Sequence, residues 1–153
     1  LAKAARRQNK DPERLDRDSS YAAKLEVLEL LYQVRRSPAR ERAFRAFCRE
    51  QGPGLEDFAL WCALYEELGP GNPAWTDPDA LGPAELEKWR PKLADRIGFH
   101  RWLQWICDEQ LENAQRAALM SGMRLGLMHD LAVGTSRSGA DAWTLREVLA
   151  PGM

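Results

Sequence analysis

Arg124–Trp143, RLGLMHDLAVGTSRSGADAW, is unlike the rest of the chain. A short apolar run, Met123–Met128, passes here into a polar loop that holds Gly134, Gly139 and the carboxylates Asp130 and Asp141. The run is too short and too apolar for another amphipathic helix after the Gly122 stop, so it predicts a buried strand. Asp130 then falls at the carboxyl end of that strand, where α/β folds place their working residues. His129, its neighbour, points to the opposite side if the strand persists. A lone strand cannot satisfy its own backbone hydrogen bonds, so its partners are expected elsewhere and the domain is expected to be incomplete. The chain also opens on Leu1 without an initiating Met, which fits a piece of something longer.

Everything before this stretch reads as helix. Residues 1–19 are polar with little periodicity and read as a loose lead-in. Tyr21, Leu25, Leu28 and Tyr32 fall at helical spacing, in a helix expected to stop near Arg36. Ser37 and Pro38 supply a cap and a first-turn proline for the next helix, whose inner face is Ala43, Phe44 and Phe47. Gly52, Pro53 and Gly54 break it. Leu55, Phe58, Ala59, Cys62 and Tyr65 then line a third helix, which ends at Gly69-Pro70-Gly71. Residues 69–83 read as a linker or surface loop. Pro83 opens a short helix to about Trp89, and Pro91 ends or kinks it. A long helix runs from about Ala94 to Ser121, with stripe Phe99, Trp102, Leu103, Ile106, Gln110, Ala114 and Ala118, and stops at Gly122. After the loop, Ser138 with Asp141 and Thr144 with Glu147 fit capping-box spacing and predict a turn and a short helix. The expected organisation is a lead-in over 1–19, a helical subdomain over 20–121, and strand, loop and short helix over 122–153.

Composition narrows the function classes. The 153 residues carry a formal charge of -1. Residues 1–50 hold 13 Lys/Arg against 8 Asp/Glu, and residues 51–153 hold 9 against 15. Asp11, Glu13, Asp16 and Asp18 interrupt the cationic run, so two helical faces of opposite sign explain the asymmetry better than a nucleic-acid arm does. Cys48, Cys62 and Cys107 are dispersed and odd in number, which points to small buried hydrophobes in a reducing, cytoplasmic compartment. No apolar stretch is long enough to span a membrane, and no signal peptide is visible. His100 and His129 lack metal-ligand spacing, GTSRSG lacks the Lys of a phosphate-binding loop, and Ser136 and Ser138 lack a nucleophile elbow. No metal and no cofactor are therefore expected.

Asp130 is the best single candidate for a functional role, against a plain turn-capping or charge-neutralising one. Asp141 is weaker, because its capping spacing already explains it. Carboxylates on separate elements suit glycosyl transfer, but Glu109, in the middle of a helix, makes a poor general acid. Trp61, Trp102 and Trp105 fit helix packing. Trp75 and Trp143 lie in loop-like surroundings, where a ring either stacks on the apolar face of a sugar or packs against the domain.

The segments FHRWLQWICDEQL at Phe99–Leu111 and HDLAVGTSRSGADAW at His129–Trp143 resemble the 4-α-glucanotransferase (amylomaltase, disproportionating enzyme) family of the α-amylase-like superfamily. LEDFALWCAL at Leu55–Leu64 resembles the family's helical insert. The resemblance runs from about Ser20 to Met153. It implies a mostly α fold class here: a helical insertion subdomain plus at least one strand of an incomplete (β/α)8 barrel. It also implies a retaining transfer of α-1,4-glucan segments between maltooligosaccharides. Asp130 matches the family's aspartate near the donor sugar, and Asp141 and Trp143 match the adjoining GADAW segment as substrate-binding or site-supporting residues. Ser138 stands where the family often has an Asp. The family's nucleophile, acid/base and second stabilising carboxylate lie on later strands, so no catalytic residue is expected in this chain. Its partners would then be glucans and the remainder of the parent catalytic domain. A stand-alone helical interaction module and a non-catalytic carbohydrate-binding module are the alternative readings.

Overall fold

The computed structural model describes Glu13, residues 16–77, 80–130 and 134–145, and Val148. The chain divides into two compact units, Leu1–Arg40 and Glu41–Met153. In the first, helix α1 spans Arg17–Tyr32. The Asp16 carboxylate caps it by accepting from the Ser19 amide at 3.0 Å, which satisfies one of the orphan donors of the first turn. The helix stops before Arg36 because its end tightens: the Val34 amide reaches Leu31 O at 3.1 Å, three residues back.

Helix α2 spans Pro38–Leu68. The Ser37 hydroxyl accepts from the Arg40 amide at 3.3 Å, so the cap and first-turn proline read from the sequence form as expected. The Gly-Pro-Gly break forms as expected, as a sharp kink at Gly52 where two helical stretches meet. Gly52 takes φ 61 and ψ -147, a conformation essentially reserved for glycine. Gly69, at φ 79, ends α2. A 3-10 turn follows at Pro73–Trp75, then α3 at Pro83–Lys92, α4 at Ala94–Met120 and the short α5 at Ala140–Thr144.

The core of the second unit lies where the later half of α2 meets the start of α4. Leu60 and Leu64 are wholly buried beside Ala59, Ala63, Leu93 and Ile97. Burying each leucine contributes roughly 1.5–3 kcal/mol. Within the stretch read as a linker or surface loop, residues 69–77 are pinned to the core through Trp75. Trp75 is only 4% exposed, packs against Tyr65 at 5.3 Å between ring centroids, and donates from its indole to Gly69 O at 2.8 Å. An indole with both its ring and its N–H satisfied anchors the loop.

Cross-contacts set the direction of the two long helices. Phe44 meets Trp105 at 5.5 Å between centroids, Glu56 pairs with Arg101 at 2.9 Å, and Glu66 pairs with Arg96 at 2.7 Å. Numbers rise on α2 as they fall on α4, so the helices are antiparallel. Twelve residues separate Phe44 from Glu56, a rise of about 18 Å in a straight helix, yet their partners are one turn apart, about 6 Å. The Gly52 kink reconciles these lengths by turning the first half of α2 back toward α4.

The strand expectation is overturned. Among the described residues no strand forms, and the structure is helical with irregular connections. Met123–Met128, read as a buried strand of an incomplete (β/α)8 barrel, is an irregular segment in which Leu125 is 87% and Met128 95% exposed. The physical reason is the one that made a lone strand suspect: among the described residues no neighbouring strand takes its N–H and C=O groups. The chain instead leaves α4 through a Schellman turn, in which the Gly122 amide donates to Leu119 O at 3.0 Å and the Met123 amide to Ala118 O at 3.2 Å. Gly122, at φ 91, is the left-handed stop predicted for it.

Gly52→Ala is expected to lower stability by about 1–3 kcal/mol in urea unfolding. Gly54→Ala, in open space on the same turn without a positive φ, should be neutral or stabilising. Equal effects at the two positions would contradict the assigned role of the kink.

Candidate functional site

The site residues read from the sequence lie on two short pieces of chain that follow α4. Asp130 ends the irregular segment and is exposed. Asp141 lies in the first turn of α5 and is also exposed. Among the described residues neither carboxylate makes a side-chain hydrogen bond or an ion pair, and no contact brings the two together. The Ser138–Asp141 capping box does not form. The helix starts one residue later, with Gly139 at its N-cap, and the Ser138 hydroxyl faces that of Ser136 at 3.3 Å. The companion Thr144–Glu147 box falls at Glu147, outside the described residues.

Trp143 belongs to the core. It is 8% exposed and packs in the same cluster as Leu60, Leu64, Trp75 and Ile97. Its amide donates to Gly139 O at 3.1 Å, so the buried ring fixes the turn that presents Asp141 two residues earlier. The arrangement is an exposed acidic side chain on a loop held by one buried aromatic.

Sequence reasoning missed a second polar cluster. The Arg96 guanidinium grips Glu66 with two hydrogen bonds, at 2.8 and 2.7 Å, and lies over the Phe99 ring at 4.6 Å. His100 is buried, with Nε2 3.1 Å from Glu66 Oε1. That is ion-pair distance, off the line of a well-directed hydrogen bond. Partial burial alone would raise the Glu66 carboxyl. The close approach of His100 and the Arg96 fork outweigh it and hold the group at about 2. A carboxyl so depressed is a poor general acid near neutral pH, so this is a clasp between α2 and α4. Thirty residues separate Glu66 from Arg96, and no local spacing signals such a pair.

The thiols are inert or unpaired. Burial, reinforced by the charge of Glu66, pushes Cys62 up to about 12, and burial raises Cys48. Cys107 is exposed on α4, against the expectation that it is buried. Among the described residues no group of three His, Cys, Asp or Glu side chains is placed to hold a metal, and no helix is long and apolar enough to cross a membrane.

Comparison with known proteins decides the family. A sequence profile described as 4-alpha-glucanotransferase matches residues 1–152. The chain belongs to the 4-alpha-glucanotransferase family. This bears out the resemblance read from the Phe99–Leu111 and His129–Trp143 segments. A 4-alpha-glucanotransferase of Mycobacterium tuberculosis (strain H37Rv) is 50% identical over 143 residues, covering 91% of this chain and 19% of that protein. One from Haemophilus influenzae is 48% identical over 146 residues, covering 85% of this chain and 21% of that protein. The crystal structure of amylomaltase from Corynebacterium glutamicum superposes with a TM-score of 0.66 at 42% identity, over 82% of this chain and 16% of that one. The chain thus spans about a fifth of the length of the 4-alpha-glucanotransferases it matches.

The Glu66 clasp gives this family segment an acid-sensitive seam. With its carboxyl lowered from the ordinary 4.5 to about 2, Glu66 stabilises the fold fully above pH 4.5 and loses that contribution as pH falls through about 2. Melting temperatures measured across this window should fall more steeply for the native chain than for Glu66→Gln, which should be the less stable of the two at neutral pH. Parallel profiles would contradict the clasp.

Proposed function

We propose that this chain is a segment of an enzyme that transfers α-1,4-glucan segments between maltooligosaccharides in a reducing, cytoplasmic compartment. The observation that carries the reading is the family match over residues 1–152. The reaction is a double displacement with retention. A carboxylate attacks the anomeric carbon as a carboxylic acid protonates the departing glycosidic oxygen, and the hydroxyl of a second sugar then displaces the enzyme carboxylate.

The residues of this chain support that chemistry from its edge. Asp130 contributes negative charge and hydrogen-bond acceptors to donor-sugar binding, which its exposure permits. Asp141, in the first turn of α5, is a second polar contact for the sugar, and Trp143 supports the site from the core. Nucleophile and acid/base are supplied from outside the segment, because Asp130 and Asp141 are not brought together. The 153-residue chain alone is therefore inactive.

Glucose release from maltotriose tests this. The full-length enzyme should release glucose and build longer maltooligosaccharides, while the 153-residue chain should do neither. Asp130→Ala in the full-length enzyme should lower kcat/KM by on the order of 100-fold with little change in melting temperature. Turnover by the short chain, or full activity in Asp130→Ala, would overturn the reading.

A further inference from the structure

Helix α4 buries side chains only in its first half, from Ile97 to Trp105. Beyond that, Gln115 is half-buried among exposed neighbours, and its carboxamide explains why. Gln115 Nε2 donates to Leu125 O at 3.1 Å, and the Leu127 amide donates to Gln115 Oε1 at 2.6 Å. One side-chain amide thus takes the carbonyl before Gly126 and the N–H after it, as a neighbouring peptide group would. Gly126 is required at the centre. Its φ is +76, and a Cβ there would overlap the Gln115 carboxamide.

Among the described residues, these two bonds and the Met123 amide to Ala118 are the hydrogen bonds that hold Met123–Asp130. Packing adds little, since Met123, Leu125, Leu127 and Met128 are all exposed. The Gln115 brace therefore constrains the backbone of this segment at Leu125–Leu127, and Asp130 lies three residues beyond it.

We propose that Gln115 is a positioning residue, whose carboxamide braces Gly126 and so aims Asp130 at the glucan. This rests on the role given to Asp130 above. The chemistry makes a specific demand on residue 115, one donor and one acceptor on the same planar group. A carboxylate supplies two acceptors and repels Leu125 O, whereas a protonated carboxyl again offers one of each.

The test is a double-mutant cycle in the full-length enzyme, read as glucan transfer. Gln115→Leu should lower kcat/KM by about ten- to hundredfold and should have no further effect in an Asp130→Ala background. Gln115→Glu should be impaired near neutral pH, and its activity relative to the native enzyme should climb as pH falls toward about 4, where the introduced carboxyl regains its proton. Melting curves under assay conditions establish that each variant is folded. A native enzyme that transfers no glucan overturns the proposed function, and with it any role for Asp130. A native enzyme that transfers glucan while Gln115→Leu is silent, or adds independently to Asp130→Ala, overturns the positioning role alone.

Discussion

Everything in the second unit leans on the seam between the later half of α2 and the first half of α4. Leu60 and Leu64 fill it, and the Glu66–Arg96 and Glu56–Arg101 pairs flank it. Burial supplies the larger share of the stabilisation, because half-exposed ion pairs contribute about 0–1 kcal/mol each. The charged pairs instead fix register: they admit one antiparallel alignment, and the Gly52 kink adapts the longer helix to it.

Two tryptophans extend this seam beyond the helices. Trp75 ties residues 69–77 to it, and Trp143 ties residues 134–145. Both come from segments with few apolar residues of their own. A single indole with a large buried surface can anchor such a loop while leaving its polar side chains free. The buried ring of Trp143 and the exposed carboxylate of Asp141 are two residues apart for this reason. The loop is held from behind and presented in front.

Much of the helical outline was legible because its signals are local. Ser37-Pro38, Gly69 and Gly122 act within one turn, and the α4 stripe repeats along one chain segment. What was not legible depends on distant partners. Met123–Met128 has the composition of a buried strand, but backbone pairing needs a neighbour that composition cannot supply, and Gln115 fills part of that need from ten residues away. The buried face of α2 was legible only in part. Leu55 and Ala59 of the expected stripe are buried, but Phe58, Cys62 and Tyr65 are half-buried and Leu60, Ala63 and Leu64 complete the face, because apolar residues occur nearly all round that helix. Of the site, Asp130 and Asp141 were legible as loop carboxylates and Trp143 as an aromatic with two possible fates. The Glu66 clasp and the Gln115 brace were not, since each joins residues that share no local motif.

The loop carrying Asp141 is anchored in the helical core through Trp143. Native-state hydrogen exchange of the Trp143 amide, compared with that of Leu64 in α2, tests this most directly. Exchange of both amides with the same opening free energy is predicted, because the loop then opens only when the seam does. Exchange at Trp143 by an independent, low-energy opening while Leu64 stays protected would contradict it.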